Sequence, residues 1–147
     1  MPLYSYTPLI ADGTTYQMTL PETDPPCQEI ARIDGVAYVS VPPGVTLPTQ
    51  PAQIAATVAL VVLDAALRAA IKAVSPHCRL IKDRGHQRIV DSGYGLEDQR
   101  KLDRLIGASG DGLITRTAAQ QVVVADYLAA NLAADAWASE QYAALGL

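Results

Sequence analysis

From Thr57 to Ile89 the chain reads TVALVVLDAALRAAIKAVSPHCRLIKDRGHQRI, and within these residues a β-type pattern gives way to a helical one. Thr57 to Leu63 is a β-branched, apolar run. Asp64 comes next as a good N-cap, since its carboxylate can accept a backbone N–H that the first helical turn leaves free. Leu67, Ala70, Ile71 and Val74 then recur at helical spacing. Ser75-Pro76 repeats the device: Ser75 caps a second helix and Pro76 takes its first position, where a missing N–H costs nothing. Strand, helix and helix succeed one another almost without slack, and the residues upstream of this stretch differ in kind from those downstream.

Upstream, the first forty residues read as two β-hairpins. Asp12-Gly13 and Asp34-Gly35 each separate β-rich runs, and Asp-Gly suits the positive φ angles of a two-residue type I′ turn. Around Asp34-Gly35 the register predicts Ile33 opposite Val36, Ala31 opposite Tyr38 and Ile30 opposite Val39, with Ile30, Val39 and Val41 on the buried face. Around Asp12-Gly13 it pairs Leu9 with Tyr16 and Tyr6 with Thr19, and puts Pro8 on an edge. Between the hairpins, PETDPPC is a connector, because its three prolines lack amide donors. After them, VPPGVTLPTQP from Val41 to Pro51 has the composition of an extended, semi-rigid linker. A domain boundary is expected there; alternatively Val45 to Leu47 adds an edge strand and one small sheet runs on to Leu63.

Downstream the pattern is helical. The second helix ends before Ser92-Gly93-Tyr94-Gly95, with Gly85 as a weak point inside it. A third helix, Leu96 to Ile106, carries Glu97 and Asp98 near its start and Arg100, Lys101 and Arg104 later, as the helix dipole favours, and allows a Glu97–Lys101 pair. GASGDG, residues 107–112, reads as a loop. Arg116 to Leu145 has no internal Pro or Gly and is rich in Ala, which predicts a long last helix, capped by Thr115 or Thr117 and closed by Gly146. Val123, Tyr127, Ala130, Ala134, Trp137, Gln141 and Ala144 make a heptad-like seam on it, beside a second stripe of Ala125, Leu128, Leu132 and Ala136. Two stripes can meet two neighbours, either both from this chain or one from a partner.

These elements define an α+β chain: a small N-terminal β-hairpin unit, residues 1–63, with a proline-rich linker at 42–53 and a strand at 57–63, then a mainly α-helical part, residues 64–147. At 147 residues it can bury one respectable core or one small β unit with a helical extension. A net charge of −4 gives no basic field for gripping phosphates, so nucleic acid is not an expected partner. The longest uncharged apolar run, Ile54 to Leu63, is well short of the roughly 20 residues that span a bilayer, and no membrane insertion is expected. MPLYSYTPLIADG lacks a cationic region and an apolar signal core, which predicts a chain made and kept in a cytoplasm until assembly or lysis. There Cys27 and Cys78 are expected as free thiols.

The chemistry-bearing residues make no convincing site. His77, Cys78, Asp83 and His86 share a helix, but the histidines are nine positions apart where ligands on one helix face want three or four, so no metal is expected. Ser92, His86 and Asp91 are the residue types of a nucleophile triad without its strand-turn-helix setting. GASGDG has the glycines of a phosphate cradle without a Lys-Ser/Thr after it. Neither catalytic residues nor a cofactor are expected. The candidate functional residues are interface residues: Tyr127, Leu128, Leu132, Trp137 and Tyr142 on the last helix, with Tyr38 and Val39 on the second hairpin.

The strings SPHCRLI, YGLEDQRKLDRL and VADYL, with the closing AWASEQYAALGL, resemble a group of small bacteriophage tail proteins encoded with tail-fibre and tail-tip genes. Those proteins show a Ser-Pro-His helix start, a Tyr-Ser-x-Glu-Asp-Glu helix and a Trp-containing last helix ending Ala-Leu-Gly-Leu. The likeness covers Ser75 to Leu147; here Gly95 stands where Ser is usual and Gln99 where Glu is usual. It implies a virion component, not an enzyme: a structural part of the tail tip or of the tail-fibre or baseplate attachment region, in a symmetric homo-oligomer. The alternative it implies is a tail-fibre assembly chaperone that leaves before the virion is complete.

Overall fold

The computed structural model describes residues 1–11 and 13–147. The order of elements is β1 (Leu3–Tyr6), β2 (Leu9–Ala11), β3 (Thr14–Tyr16), β4 (Gln28–Ile33), β5 (Val36–Ser40), α1 (Ala52–Ala55), β6 (Ala59–Leu60), α2 (Ala65–Val74), α3 (Pro76–Asp91), α4 (Leu96–Gly110) and α5 (Ala118–Ala144). The architecture is α+β, with strands first and a mainly helical remainder that ends in a helix of 27 residues. Two compact units are present: Met1–Leu80 with Gln141–Leu147, and Ile81–Glu140. The division falls neither within the proline-rich stretch, where the sequence suggests a boundary, nor at 63/64, where the helical part is expected to begin. α2 packs against β4 and buries Ile71 completely, so this first long helix belongs to the β unit.

In the first unit four strands form an antiparallel sheet in the order β4-β5-β1-β6, while β2 and β3 make a separate two-stranded hairpin. The β4–β5 turn has Asp34 at φ 49° and Gly35 at φ 81°, the two positive angles that an Asp-Gly turn requires. Ile33 faces Val36 and Ala31 faces Tyr38 as the turn dictates. The next expected pair fails. A bulge sets Glu29, not Ile30, opposite Val39, although Ile30 is fully buried all the same. In the first hairpin Leu9 does pair with Tyr16, but Tyr6 pairs with Ala37, because β1 lies between β5 and β6 instead of extending β2. Asp12 of the expected Asp12-Gly13 turn lies outside the described residues.

One face of the four-stranded sheet carries Tyr6, Ala37, Val39 and Val41, which form a core with Met18 and Ile54. Val45 and Leu47 pack on that core from the proline-rich stretch. This stretch is therefore a cover for the sheet and neither a spacer nor an edge strand. Its prolines cannot donate, and the Gln50 side chain substitutes for the missing backbone: Oε1 accepts from Thr19 N at 2.8 Å and Nε2 donates to Thr19 O at 3.0 Å. The expected strand at 57–63 is reduced to β6, whose ladder with β1 continues through Val61 N donating to Leu3 O at 2.8 Å.

Helix boundaries are set by their caps. Asp64 Oδ1 accepts from Leu67 N at 2.7 Å and opens α2. Ser75 Oγ accepts from Cys78 N at 3.3 Å and opens α3, with Pro76 as its first residue. Thr117 and Gln120 cap α5 reciprocally, Thr117 Oγ1 accepting from Gln120 N and Gln120 Oε1 from Thr117 N. At its far end Gly146 has φ 82°, while Leu147 N donates to Tyr142 O and Gly146 N to Ala143 O, the paired bonds of a Schellman closure. GASGDG is not a loop: α4 runs on to Gly110, and the same pair of bonds, Leu113 N to Ala108 O and Gly112 N to Ser109 O, closes it. Two of its three glycines are helical, and the third supplies the turn-off.

The second unit has a thin core of Leu102, Val124 and Tyr127, with Ile89, Tyr94, Leu105 and Ile106 packed against it. The Tyr94 and Tyr127 rings meet edge to face, centroids 5.2 Å apart. Gln99 is buried, and its Nε2 donates to Tyr94 O at 2.8 Å, tying the start of α4 to the turn before it. That bond performs the local restraint that Gly95, an N-cap without a side chain, cannot provide.

Candidate interaction surface

The seven candidate interface residues fall into three groups. Val39 and Tyr127 are 1% and 5% exposed; they are core side chains of their units and are not available to a partner. The reason is geometric. Val39 shares a sheet face with Tyr6 and Ala37, and Tyr127 lies on the face of α5 that also holds Val124 and Ala134.

Tyr38, Trp137 and Tyr142 are half-buried. Tyr38 points to the opposite face from Val39 and pairs with Ser5 and Ala31. The Arg88 guanidinium lies over the Trp137 ring, 5.0 Å from its centroid, and Lys72 Nζ lies 4.1 Å from the centroid of Tyr142. Burial raises the pKa of the Tyr142 phenol, with Cys78 adding to the effect. Both aromatic faces are thus engaged by cations of their own chain.

Leu128 and Leu132 are exposed, at 50% and 72%, and Ala125 and Ala136 beside them are exposed too. The second stripe of the last helix is therefore an open apolar face. The expected seam holds from Tyr127 through Ala130, Ala134 and Trp137 to Gln141, all buried or half-buried; at its ends Val123 and Ala144 are exposed, and Val124 is buried in place of Val123. Val122, absent from either expected stripe, extends the open face at 62% exposure. The polar residues of α5 include three acids, Asp126, Asp135 and Glu140, and it carries no Lys, Arg or His. It is a long acidic helix with leucines turned outward.

The residues that invited catalytic or metal chemistry have ordinary helical roles. Ser92 Oγ donates to Arg88 O at 2.9 Å, and Asp91 Oδ1 accepts from Gln87 Nε2 at 2.8 Å, so neither meets His86. Cys78 is buried while Asp83 and His86 are exposed, and no three metal-ligating side chains gather among the described residues. No helix among the described residues is long and apolar enough to cross a membrane. Cys27 and Cys78 are free.

Sequence patterning misses several further exposed apolar side chains: Ile10 at 76%, Leu60 at 62%, Val62 at 91% and Leu113 at 75%. A signal exists for two of them, since the uncharged run ALVVL is longer than the two-residue strand it forms. A comparison of the chain with protein-family models, with curated proteins and with solved structures finds no match.

Proposed function

We propose that this chain is a structural component of a bacteriophage tail, placed at the tail tip or in the tail-fibre or baseplate attachment region, and that it assembles through the outer face of α5. The observation that carries this is the outward placement of Leu128 and Leu132 on a 27-residue helix. Exposed leucines in a row cost solubility unless something covers them. The resemblance of Ser75 to Leu147 to small tail proteins supplies the setting. The absence of basic residues on α5 favours neighbours with a neutral or basic surface over nucleic acid.

The test is peptide mass spectrometry of purified particles of the phage that encodes the chain, with copy number measured against the major tail protein. A low, stoichiometric copy number is expected. Abundance in infected-cell lysate with absence from particles would overturn the virion role and assign the chain to assembly.

A further inference from the structure

We infer that the outer face of α5 is covered by the exposed face of α2 from a second copy of this chain, so that copies associate head to tail. The inference rests on the reading of that α5 face as an assembly surface, and names what covers it.

The helices divide the charge between them. α5 carries Asp126, Asp135 and Glu140 and no cation, whereas α2 carries Arg68 and Lys72 and no acid. α3 and α4 carry both signs, so among the described helices α2 alone is purely cationic and α5 alone purely acidic. On α5 the exposed positions Val122, Ala125, Ala129, Leu132 and Ala136 follow at alternating spacings of three and four, an uncharged seam of the kind that takes a second helix. The exposed charges beside it are all acids. α2 buries Ile71 and turns its other side outward, where Ala65, Arg68 and Ala69 are exposed and Lys72 is half-buried. Those four residues line a shallow, mostly apolar depression that bears two cations.

The two faces complement each other in size and in charge. Alanines on α2 let a second helix approach closely, and Leu132, 72% exposed, supplies a side chain to fill the space above them. Charge selects the arrangement. A net charge of −4 opposes association of copies in general, and a two-fold pairing of α5 with α5 would bring three acids towards three. Setting α5 on α2 brings acids towards cations instead. Each copy has one face of each kind, so the contact is heterologous and repeats from copy to copy, closing into a ring where the rotation allows.

Analytical ultracentrifugation of the purified full chain across the micromolar range, in about 0.1 M salt, tests the inference. The wild type is expected to form species larger than the 15.6 kDa monomer that grow with concentration. Arg68→Glu with Ala69→Glu spoils the α2 face, and Leu132→Lys spoils the α5 face. Each variant is expected to associate about tenfold or more weakly, with an unchanged circular dichroism spectrum and melting temperature, because the substituted positions are exposed. An equimolar mixture of the two variants retains one intact face of each kind. It is expected to recover a dimer of twice the chain mass that grows no further. Raising the salt to about 1 M, where the Debye length is roughly 3 Å, is expected to weaken the wild-type association, and this reads the charge term even if a variant fails to fold. A wild type that stays monomeric, an association that ignores salt or the α2 substitutions, or a mixture that stays monomeric would overturn the inference. A monomeric chain that is still incorporated into particles would overturn this contact alone and leave the tail reading in place. Head-to-tail association of a chain absent from particles would do the reverse.

Discussion

The Tyr127 hydroxyl donates to Asp103 Oδ1 at 3.0 Å, joining α5 to α4 across 24 residues of sequence. The same side chain supplies the aromatic body of the second unit's small core, edge-on to Tyr94. Its two contributions can be separated. Tyr127→Phe keeps the ring and loses a partly exposed hydrogen bond, which is expected to cost about 1 kcal/mol. Tyr127→Ala also empties the core and is expected to cost about 3 kcal/mol or more. Urea denaturation of both variants gives the comparison, and equal losses would refute the division.

The Asp34-Gly35 turn makes a sharper demand. With both central φ angles positive, Gly35→Ala forces a Cβ into the left-handed region at a cost of about 1 kcal/mol. Asp34→Asn, which suits a type I′ turn equally well, is expected to be neutral. Nothing lies within 4 Å of a Cβ built at Gly35, so the alanine penalty is conformational and not steric. Thermal melts that left the two variants indistinguishable would mean that the turn tolerates alanine.

The parts of the fold legible in the sequence are those in which a few adjacent residues decide the outcome. Asp64, Ser75, Thr117, Gly146 and Asp34-Gly35 each act within a turn or two of their own position, and each does what local chemistry dictates. The failures share a different cause. The proline-rich stretch looks like a spacer until Gln50 is seen to bond Thr19, a partner 31 residues away. The glycines of GASGDG suggest a loop, whereas the helix continues through Gly107 and Gly110. For the candidate surface, periodicity identifies the stripe of Leu128 and Leu132 but does not say which stripe faces inward. Tyr127 and Val39 look like anchors in sequence because large apolar residues serve cores and interfaces alike.

Gly85 offers a gain in place of a loss. It lies inside α3 with a negative φ, and nothing stands within 4 Å of a Cβ built on it. Alanine there adds helix propensity without a clash, so Gly85→Ala is expected to stabilise the chain by about 0.5–1 kcal/mol. The readout is an upward shift of the melting temperature. A downward shift would indicate that α3 needs its glycine.

Stability is expected to fall at alkaline pH. Burial is the main cause that raises the Tyr6 phenol above its ordinary value of 10.0, and the neighbouring Glu29 carboxylate, 3.2 Å from the hydroxyl, adds to it. Burial also leads for Tyr127 and Tyr142. A raised pKa means that the folded chain keeps a proton which the unfolded chain loses above about pH 10. The contribution is therefore complete below that pH and disappears as the pH rises through the folded-state values. Denaturant midpoints should be flat across neutral pH and decline beyond about pH 10, and Tyr6→Phe should reduce the decline. A profile unchanged by that substitution would exclude Tyr6 as a source.

The two large apolar residue types of α5 should separate in their effects. Trp137 is half-buried beneath Arg88, so Trp137→Ala removes a contact within the chain and is expected to lower folding stability by about 1 kcal/mol or more, whatever it does to assembly. Leu128 and Leu132 contribute little to the folded chain, being 50% and 72% exposed. Leu128→Lys with Leu132→Lys is expected to leave folding stability within about 0.5 kcal/mol of wild type. Incorporation into particles should nevertheless collapse, because two charges would be carried into a contact that is otherwise apolar. Particles that incorporate the double-lysine chain normally would show that the outer face of α5 faces solvent, and the exposed leucines would then need a different explanation.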